Sequence, residues 1–427
     1  MGWHPHLWHP HLWHPTTQVA TSPEPLQVRS ARGCELELAD GRRLIDAISS
    51  WWVTLHGHAE PSIAAAIAAQ ARQLEQVIFA NFSHGPAEQL ATRLSALTGL
   101  QRLFFSDNGS TAVEVALKIA WQWWSNQGES RHQLIAFEGA YHGDTVGAMA
   151  LGERSLFTAP FERLLFAVAR VPWPHTHWGD DDRERAERQA LEQLDVALQT
   201  PTAAVILEPL LQGASGMRLV RPGFLRAVAE RARAAGALLI ADEVMTGFGR
   251  TGALFACQKA GVHPDLMCLS KGLTGGFLPM GVTMASERLY QGFIGSDPSL
   301  TFFHGHSFTA NPLGCAAALA SLDLLQAMPE RFQQFEVRHI PLLEQLALHP
   351  RVSRPRALGT IAAFDVDAGA SGYLNPVGKQ IQRSCLDQGV YLRPLGNTVY
   401  LLPPLSISDP QLQQCYEGLA IALERLE

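Results

Sequence analysis

The sequence predicts an α/β fold, with a large domain built on a mostly parallel, helix-covered sheet and a small α+β domain assembled from both chain ends. Three observations carry that expectation. Short apolar runs alternate with helical stretches through the middle of the chain, and the texture changes after about residue 330. The 427 residues are also 47% hydrophobic, enough to bury the cores of two packed domains.

The elements follow in order. Residues 1–15 form a tandem repeat, Trp3-His4-Pro5-His6-Leu7, Trp8-His9-Pro10-His11-Leu12 and Trp13-His14-Pro15. A proline every five residues forbids a regular helix there, and no acidic residue or cysteine joins the histidines, so no metal is assigned. From Cys34 to Asp46 the side chains alternate around Ala39-Asp40-Gly41-Arg42, a hairpin signal. Residues 61–76 and 86–98 are apolar at helical spacing, each with a proline in the first turn. The candidate strands are Leu103–Phe105, Leu134–Phe137, Ala203–Leu207, Ala237–Ala241, Leu266–Leu269 and Gly281–Ala285, with helical patterns at 111–127 and 222–235. Beyond residue 330 come a helix, strands near Thr360–Val366 and Thr398–Leu402, and a terminal helix. The expected boundaries are an extension at 1–15, a small domain at 16–60 with 330–427, and a large domain at 61–329.

A net charge of −7 with only 17% charged residues leaves no footprint for nucleic acid or an anionic membrane. No apolar run approaches the ~18–20 residues of a membrane span, and the N-terminus lacks the pattern of a signal peptide. The six cysteines stand far apart, without a C-x-x-C pair, and read as reduced, buried thiols of a cytoplasmic protein.

In helix-covered parallel sheets the chemistry gathers at the carboxyl ends of the strands. Asp242 ends the run Leu238-Leu239-Ile240-Ala241, where a carboxylate needs a partner; a protonated pyridine nitrogen is one. Lys271 ends another run and precedes the turn Gly272-Leu273-Thr274-Gly275-Gly276; a desolvated amine there suits Schiff-base formation. Asn108-Gly109-Ser110-Thr111 leads from a strand into a helix, a ready phosphate site. Tyr141, between Ala140 and His142, can stack on a planar ring, and Glu208 ends the run Ala203–Leu207 facing the same crevice. Taken singly, these residues read as a helix cap, a surface lysine, an N-cap and a loop aromatic. Together they supply a counter-ion, an imine-forming amine, a phosphate cradle and a stacking ring, an inventory that matches pyridoxal 5'-phosphate.

The stretches Ala241-Asp242-Glu243-Val244-Met245-Thr246-Gly247-Phe248-Gly249-Arg250 and Ser270-Lys271-Gly272-Leu273-Thr274-Gly275-Gly276 resemble the class III, fold-type-I aminotransferases. Within that family, Trp13-His14-Pro15, Ser49-Ser50-Trp51-Trp52, Gly139-Ala140-Tyr141-His142-Gly143-Asp144-Thr145, Phe303-His304-Gly305-His306-Ser307-Phe308 and Leu392-Arg393-Pro394-Leu395-Gly396 resemble the enzymes acting on 8-amino-7-oxononanoate in biotin biosynthesis. The resemblance implies that Lys271 carries the cofactor and moves the proton, that Asp242 holds the ring nitrogen protonated, and that Gly109 and Ser110 take the phosphate. It places Tyr141 against the ring, and Trp51, Trp52 and Gly305 along the substrate. It implies that Arg393 pairs with the substrate's far carboxylate. The resemblance further implies that His306 and Ser307 reach the phosphate of a neighbouring subunit, and hence a homodimer with shared sites. Thr16 stands where the family has tyrosine against the substrate, keeping a hydroxyl without the ring's reach; His306-Ser307 replaces the usual Pro-Thr. The implied amino donor is S-adenosylmethionine or, as in some relatives, lysine. Two other readings share the Asp–Lys core: an aminotransferase for acetylornithine, ornithine or 4-aminobutyrate, and an aminomutase.

Overall fold

The protein is described here from a computed structural model covering residues 9–369, 372 and 375–426; the first copy of the repeat lies outside the described residues. Its largest sheet has seven strands. In spatial order they are Arg102–Ser106, Gly281–Ala285, Leu266–Leu269, Leu238–Asp242, Thr202–Leu207, Gln133–Phe137 and Ala169–Val171. All neighbours pair parallel except Gly281–Ala285, which is antiparallel to both of its neighbours. The reversal follows from the connection. Between Leu269 and Gly281 the chain holds one tight turn and no crossover helix, so the strand returns beside the one it left. The strand Ala169–Val171 was not foreseen; three residues are too few to make an apolar run.

Strands Thr202–Leu207 and Leu238–Asp242 are buried along their whole length because helices cover both faces. One face packs on helix Gly109–Asn126, through Val113, Ala116, Leu117 and Trp124. The other packs on Arg183–Ala197 and Pro222–Ala234, through Leu194, Phe224, Leu225 and Val228. The expected helix at 61–76 is shorter than its periodicity, Pro61–Ala71. Its downstream residues turn away, and Gln76 Nε2 donates to the Ser307 carbonyl at 3.1 Å.

The predicted hairpin is present, with strands Glu35–Leu38 and Arg43–Asp46 antiparallel. Val390–Tyr391 adds to it in parallel, Val390 opposite Ile45, so the two ends of the chain share one sheet. Val352–Leu358, Ile361–Val366 and Thr398–Leu401 form a second, antiparallel sheet, packed by helices Phe335–Leu346, Val377–Asp387 and Asp409–Glu424. One apolar cluster runs from these elements, through Tyr400, Leu402 and Leu405, to Phe248 and Leu269 beneath the large sheet. A buried ion pair lies against the same seam. Arg356 Nη2 lies 2.8 Å from Asp365 Oδ1, while the guanidinium also donates to the Gly216 and Met217 carbonyls at 2.6 and 2.8 Å. Among the described residues no helix is long and apolar enough to cross a membrane.

Candidate active site

The carboxyl ends of the large-sheet strands open into a cavity of about 700 Å³, whose lining includes Trp52, Ser110, Tyr141, Glu208, Asp242 and Lys271. The two residues that sequence reasoning depends on most therefore meet in one space. Asp242 is buried at its strand end; its Oδ1 accepts the Val244 N–H at 3.1 Å and its Oδ2 lies 2.6 Å from His142 Nδ1. His142 Nε2 is buried with no hydrogen-bond partner among the described residues.

Lys271 opens a single 3₁₀ turn, Lys271–Thr274, with φ at 41°, a conformation that costs an L-residue about 1–3 kcal/mol. The surroundings over-determine it. Ser270 Oγ donates to the Met280 carbonyl at 2.7 Å, and Ser321 Oγ donates to the Gly272 carbonyl at 3.1 Å with His56 Nε2 3.0 Å behind it. The Lys271 amine stands 5.3 Å from the centre of the Trp52 ring. Burial holds its pKa below the usual lysine value, with Asp242 and Glu208 opposing that shift. Glu208 accepts the N–H groups of Tyr141 at 3.1 Å and Gly213 at 3.0 Å, yet burial still pushes its carboxyl up to about 7. Burial and neighbouring Asp144 raise the Tyr141 phenol well above its ordinary value.

The third wall is the start of helix Gly109–Asn126. Asn108 accepts the Thr111 N–H at 3.0 Å while the Thr111 hydroxyl accepts the Asn108 N–H at 3.0 Å, a reciprocal cap that leaves the first amides aimed at the cavity. Ser110 Oγ lies 2.7 Å from Thr145 Oγ1 and accepts the Thr145 N–H at 3.1 Å. Glycine is required around this cradle: a Cβ on Gly109 would stand 2.5 Å from Val244 Cγ1, and one on Gly143, at φ 130°, would collide with Ser110.

The aminotransferase class-III family profile matches residues 16–423. The chain belongs to the class-III aminotransferases. This aminotransferase is 57% identical over 426 residues to the adenosylmethionine-8-amino-7-oxononanoate aminotransferase of Synechococcus elongatus, covering 99% of each chain. It is 37% identical over 420 residues to the enzyme of that name from Geobacter sulfurreducens, covering 93% of this chain and 91% of the other. Among solved structures, the adenosylmethionine-8-amino-7-oxononanoate aminotransferase of Methanocaldococcus jannaschii superposes with a TM-score of 0.90 at 31% identity, covering 97% of each chain. An amine transaminase from an uncultivated Pseudomonas species, in a pyridoxal-phosphate-bound form, gives 0.92 at 30% identity, covering 98% and 99%.

A class-III aminotransferase works with pyridoxal 5'-phosphate, and the cavity fits that group. It offers an anion cradle of backbone amides that only glycines permit, a buried carboxylate already fixed on two sides, and an amine without a hydrogen-bond partner among the described residues.

The remaining predicted residues sit in two places. Trp51, Arg393 and Thr16 lie together outside the cavity lining: the guanidinium carbon stands 4.7 Å above the Trp51 ring, and Arg393 Nη2 donates to Thr16 Oγ1 at 2.9 Å. The expectation that Trp51 lines the cavity is met instead by its neighbour Trp52, Trp51 itself being 45% exposed. Gly305, His306 and Ser307 also stand apart from the cavity, on an exposed segment between Phe303 and Phe308. His306 Nδ1 there faces Asp107 Oδ1 at 3.1 Å.

Two participants escaped the sequence reading. His142 was quoted within a motif but given no task; only the fold shows it gripping Asp242. Asp144 lines the same cavity beside Tyr141. The turn Ser49–Trp52 was read as a motif, not as strained backbone, although Ser49, Ser50 and Trp52 all hold positive φ.

Proposed function

We propose that this aminotransferase transfers an amino group, from S-adenosylmethionine, to 8-amino-7-oxononanoate, giving 7,8-diaminononanoate in biotin biosynthesis. One observation supports this substrate above others. Consecutive tryptophans connect the amine to the guanidinium: the Trp52 ring faces Lys271 Nζ at 5.3 Å and the Trp51 ring faces the Arg393 guanidinium at 4.7 Å. An extended aliphatic keto acid, reacting at one end and ionised at the other, matches that layout.

When bound, the cofactor carries nitrogen between the two half-reactions and delocalises the electron pair left when the substrate carbon loses its proton. Lys271 supplies the base: its burial lowers the cost of the neutral amine, which takes that proton and returns it. Asp242 would hold the ring nitrogen protonated, with His142 fixing the carboxylate in place. Gly109 and Ser110 would hold the phosphate at the helix start and Tyr141 would pack against the ring, while Glu208 fixes the Tyr141 backbone. Arg393 takes the distal carboxylate, with Trp51, Trp52 and Gly305 along the substrate path.

We read the assembly as a cytoplasmic homodimer. Ile78, Phe82, Phe303 and Phe308 expose large apolar side chains on segments that Gln76 ties together, and a second copy covering them would bring His306 and Ser307 to its phosphate. We also propose a division into an extension at 1–15, a small domain at 16–60 with 330–427, and a large domain at 61–329. The shared sheet of Arg43–Asp46 and Val390–Tyr391 supports it.

The test is direct. Purified protein given 8-amino-7-oxononanoate and S-adenosylmethionine should release 7,8-diaminononanoate; no product with that donor or with lysine overturns the reading.

A further inference from the structure

Thr16 is a β-branched residue at φ 50°, where such side chains are disfavoured, and its hydroxyl oxygen accepts Arg393 Nη2 at 2.9 Å across 377 residues of sequence. The guanidinium is pinned from below as well, by the Trp51 ring at 4.7 Å. No ion pair of the described residues includes Arg393, so its charge remains available to a ligand.

The geometry of the donor group makes this contact informative. A guanidinium presents two edges that can each grip a carboxylate with two parallel N–H groups, and Nη2 contributes one N–H to each edge. A single acceptor on Nη2 occupies one edge and leaves the other whole. Thr16 and Trp51 together therefore fix both the plane and the rotation of the guanidinium while keeping one bidentate edge open. A long arginine side chain loses rotamer freedom when it binds; here much of that loss is met before the substrate arrives.

We infer that Thr16 is a positioning residue for Arg393, acting on the carboxylate end of the substrate through the arginine rather than by lining the substrate path itself. This rests on the reading that Arg393 receives the distal carboxylate. The N-terminal segment that carries Thr16 then belongs to the recognition of the keto acid.

The experiment compares Thr16→Val, Thr16→Ser and Arg393→Ala in the full-length, cofactor-loaded enzyme, with 8-amino-7-oxononanoate and with its carboxamide analogue. Removing the hydroxyl in Thr16→Val should raise KM for the keto acid about three- to tenfold, the loss of one hydrogen bond to a charged group at a part-exposed site, and lower kcat less than twofold. Thr16→Ser should restore KM, because it returns the oxygen without the methyl. With the carboxamide, the Thr16→Val and parent enzymes should have the same KM. A Thr16→Val enzyme with unchanged KM, alongside an Arg393→Ala enzyme whose KM rises, overturns this inference and leaves the carboxylate clamp standing. An Arg393→Ala enzyme with unchanged KM overturns the clamp itself. A Thr16→Val effect that persists with the carboxamide, or that Thr16→Ser does not rescue, shows a role other than positioning Arg393.

Discussion

The turn that carries Trp51 and Trp52 is held against its own backbone preference, and Asp46 is the residue to remove. Ser49, Ser50 and Trp52 have φ of 53°, 61° and 68°. Left-handed backbone costs an L-residue about 1–2 kcal/mol, hence about 3–6 kcal/mol for the three. The fully buried Asp46 carboxylate opposes it by accepting the Ser50 N–H at 2.6 Å and the Ile48 N–H at 3.2 Å, with His58 Nε2 2.8 Å away on its far side. Two hydrogen bonds to a charged acceptor contribute about 1.5–3 kcal/mol each, which matches the strain. In Asp46→Asn the charge is gone and one backbone N–H has no acceptor. The Ser49 hydroxyl to the Leu402 carbonyl at 2.7 Å and the Trp52 indole to Tyr400 at 2.9 Å remain, but they are neutral bonds. A deficit of about 1.5–3 kcal/mol leaves the turn competent in about 1–10% of molecules, and apparent KM for the keto acid rises about ten- to a hundredfold. Steady-state kinetics measures that rise, and amide exchange over residues 48–54 should accelerate while the strands of the large sheet stay protected. A KM within twofold of the parent, with unaltered exchange in the turn, refutes the reasoning.

Three further outcomes are expected. Lys271→Ala should lower turnover by about two to four orders of magnitude, the usual contribution of a positioned base, and change the visible absorbance of the bound cofactor; retained turnover contradicts the assignment. Glu208 holds its proton up to about pH 7 in the folded protein against 4.5 as its ordinary value. The folded state therefore binds more protons between those pH values, and stability falls as pH rises through that window without recovering above it. Relative to Glu208→Gln, the cofactor-free parent should lose about 3 kcal/mol from pH 4.5 to 7, read from denaturation at each pH; a constant difference contradicts the burial argument. Phe308→Asp places a charge on the exposed apolar segment; sedimentation should show monomers with lost activity, and an unchanged species contradicts the shared-site dimer.

What could be read from the sequence was what local chemistry announces. Asp242 and Lys271 end runs of four or five apolar residues, so their place at strand ends followed from alternation alone, and the strand-end rule put them in one crevice. Gly109 and Ser110 announced themselves by leading from a strand into an amphipathic helix. What could not be read depends on separations that leave no local trace. His142 and Asp242 are 100 residues apart, and nothing around His142 distinguishes a histidine gripping a buried carboxylate from one in a loop. The antiparallel strand Gly281–Ala285 has the same apolar pattern as its parallel neighbours, because direction is set by the connection and not by the strand's own residues. The pair Trp51-Trp52 shows the limit most clearly. Sequence reasoning put both rings along the substrate, as it must when neighbours are identical. The positive φ of Ser49, Ser50 and Trp52 sends them to different tasks, one ring toward Lys271 and the next toward Arg393. That divergence is imposed by Asp46, Tyr400 and Leu402, residues of the two chain ends that fold beside the large sheet. On the proposed reading, selectivity for a keto acid ionised at its far end is thus built by the chain ends, while the proton transfer is built by the central sheet. Changes at Asp46 or Thr16 should move KM, and changes at Lys271 should move kcat.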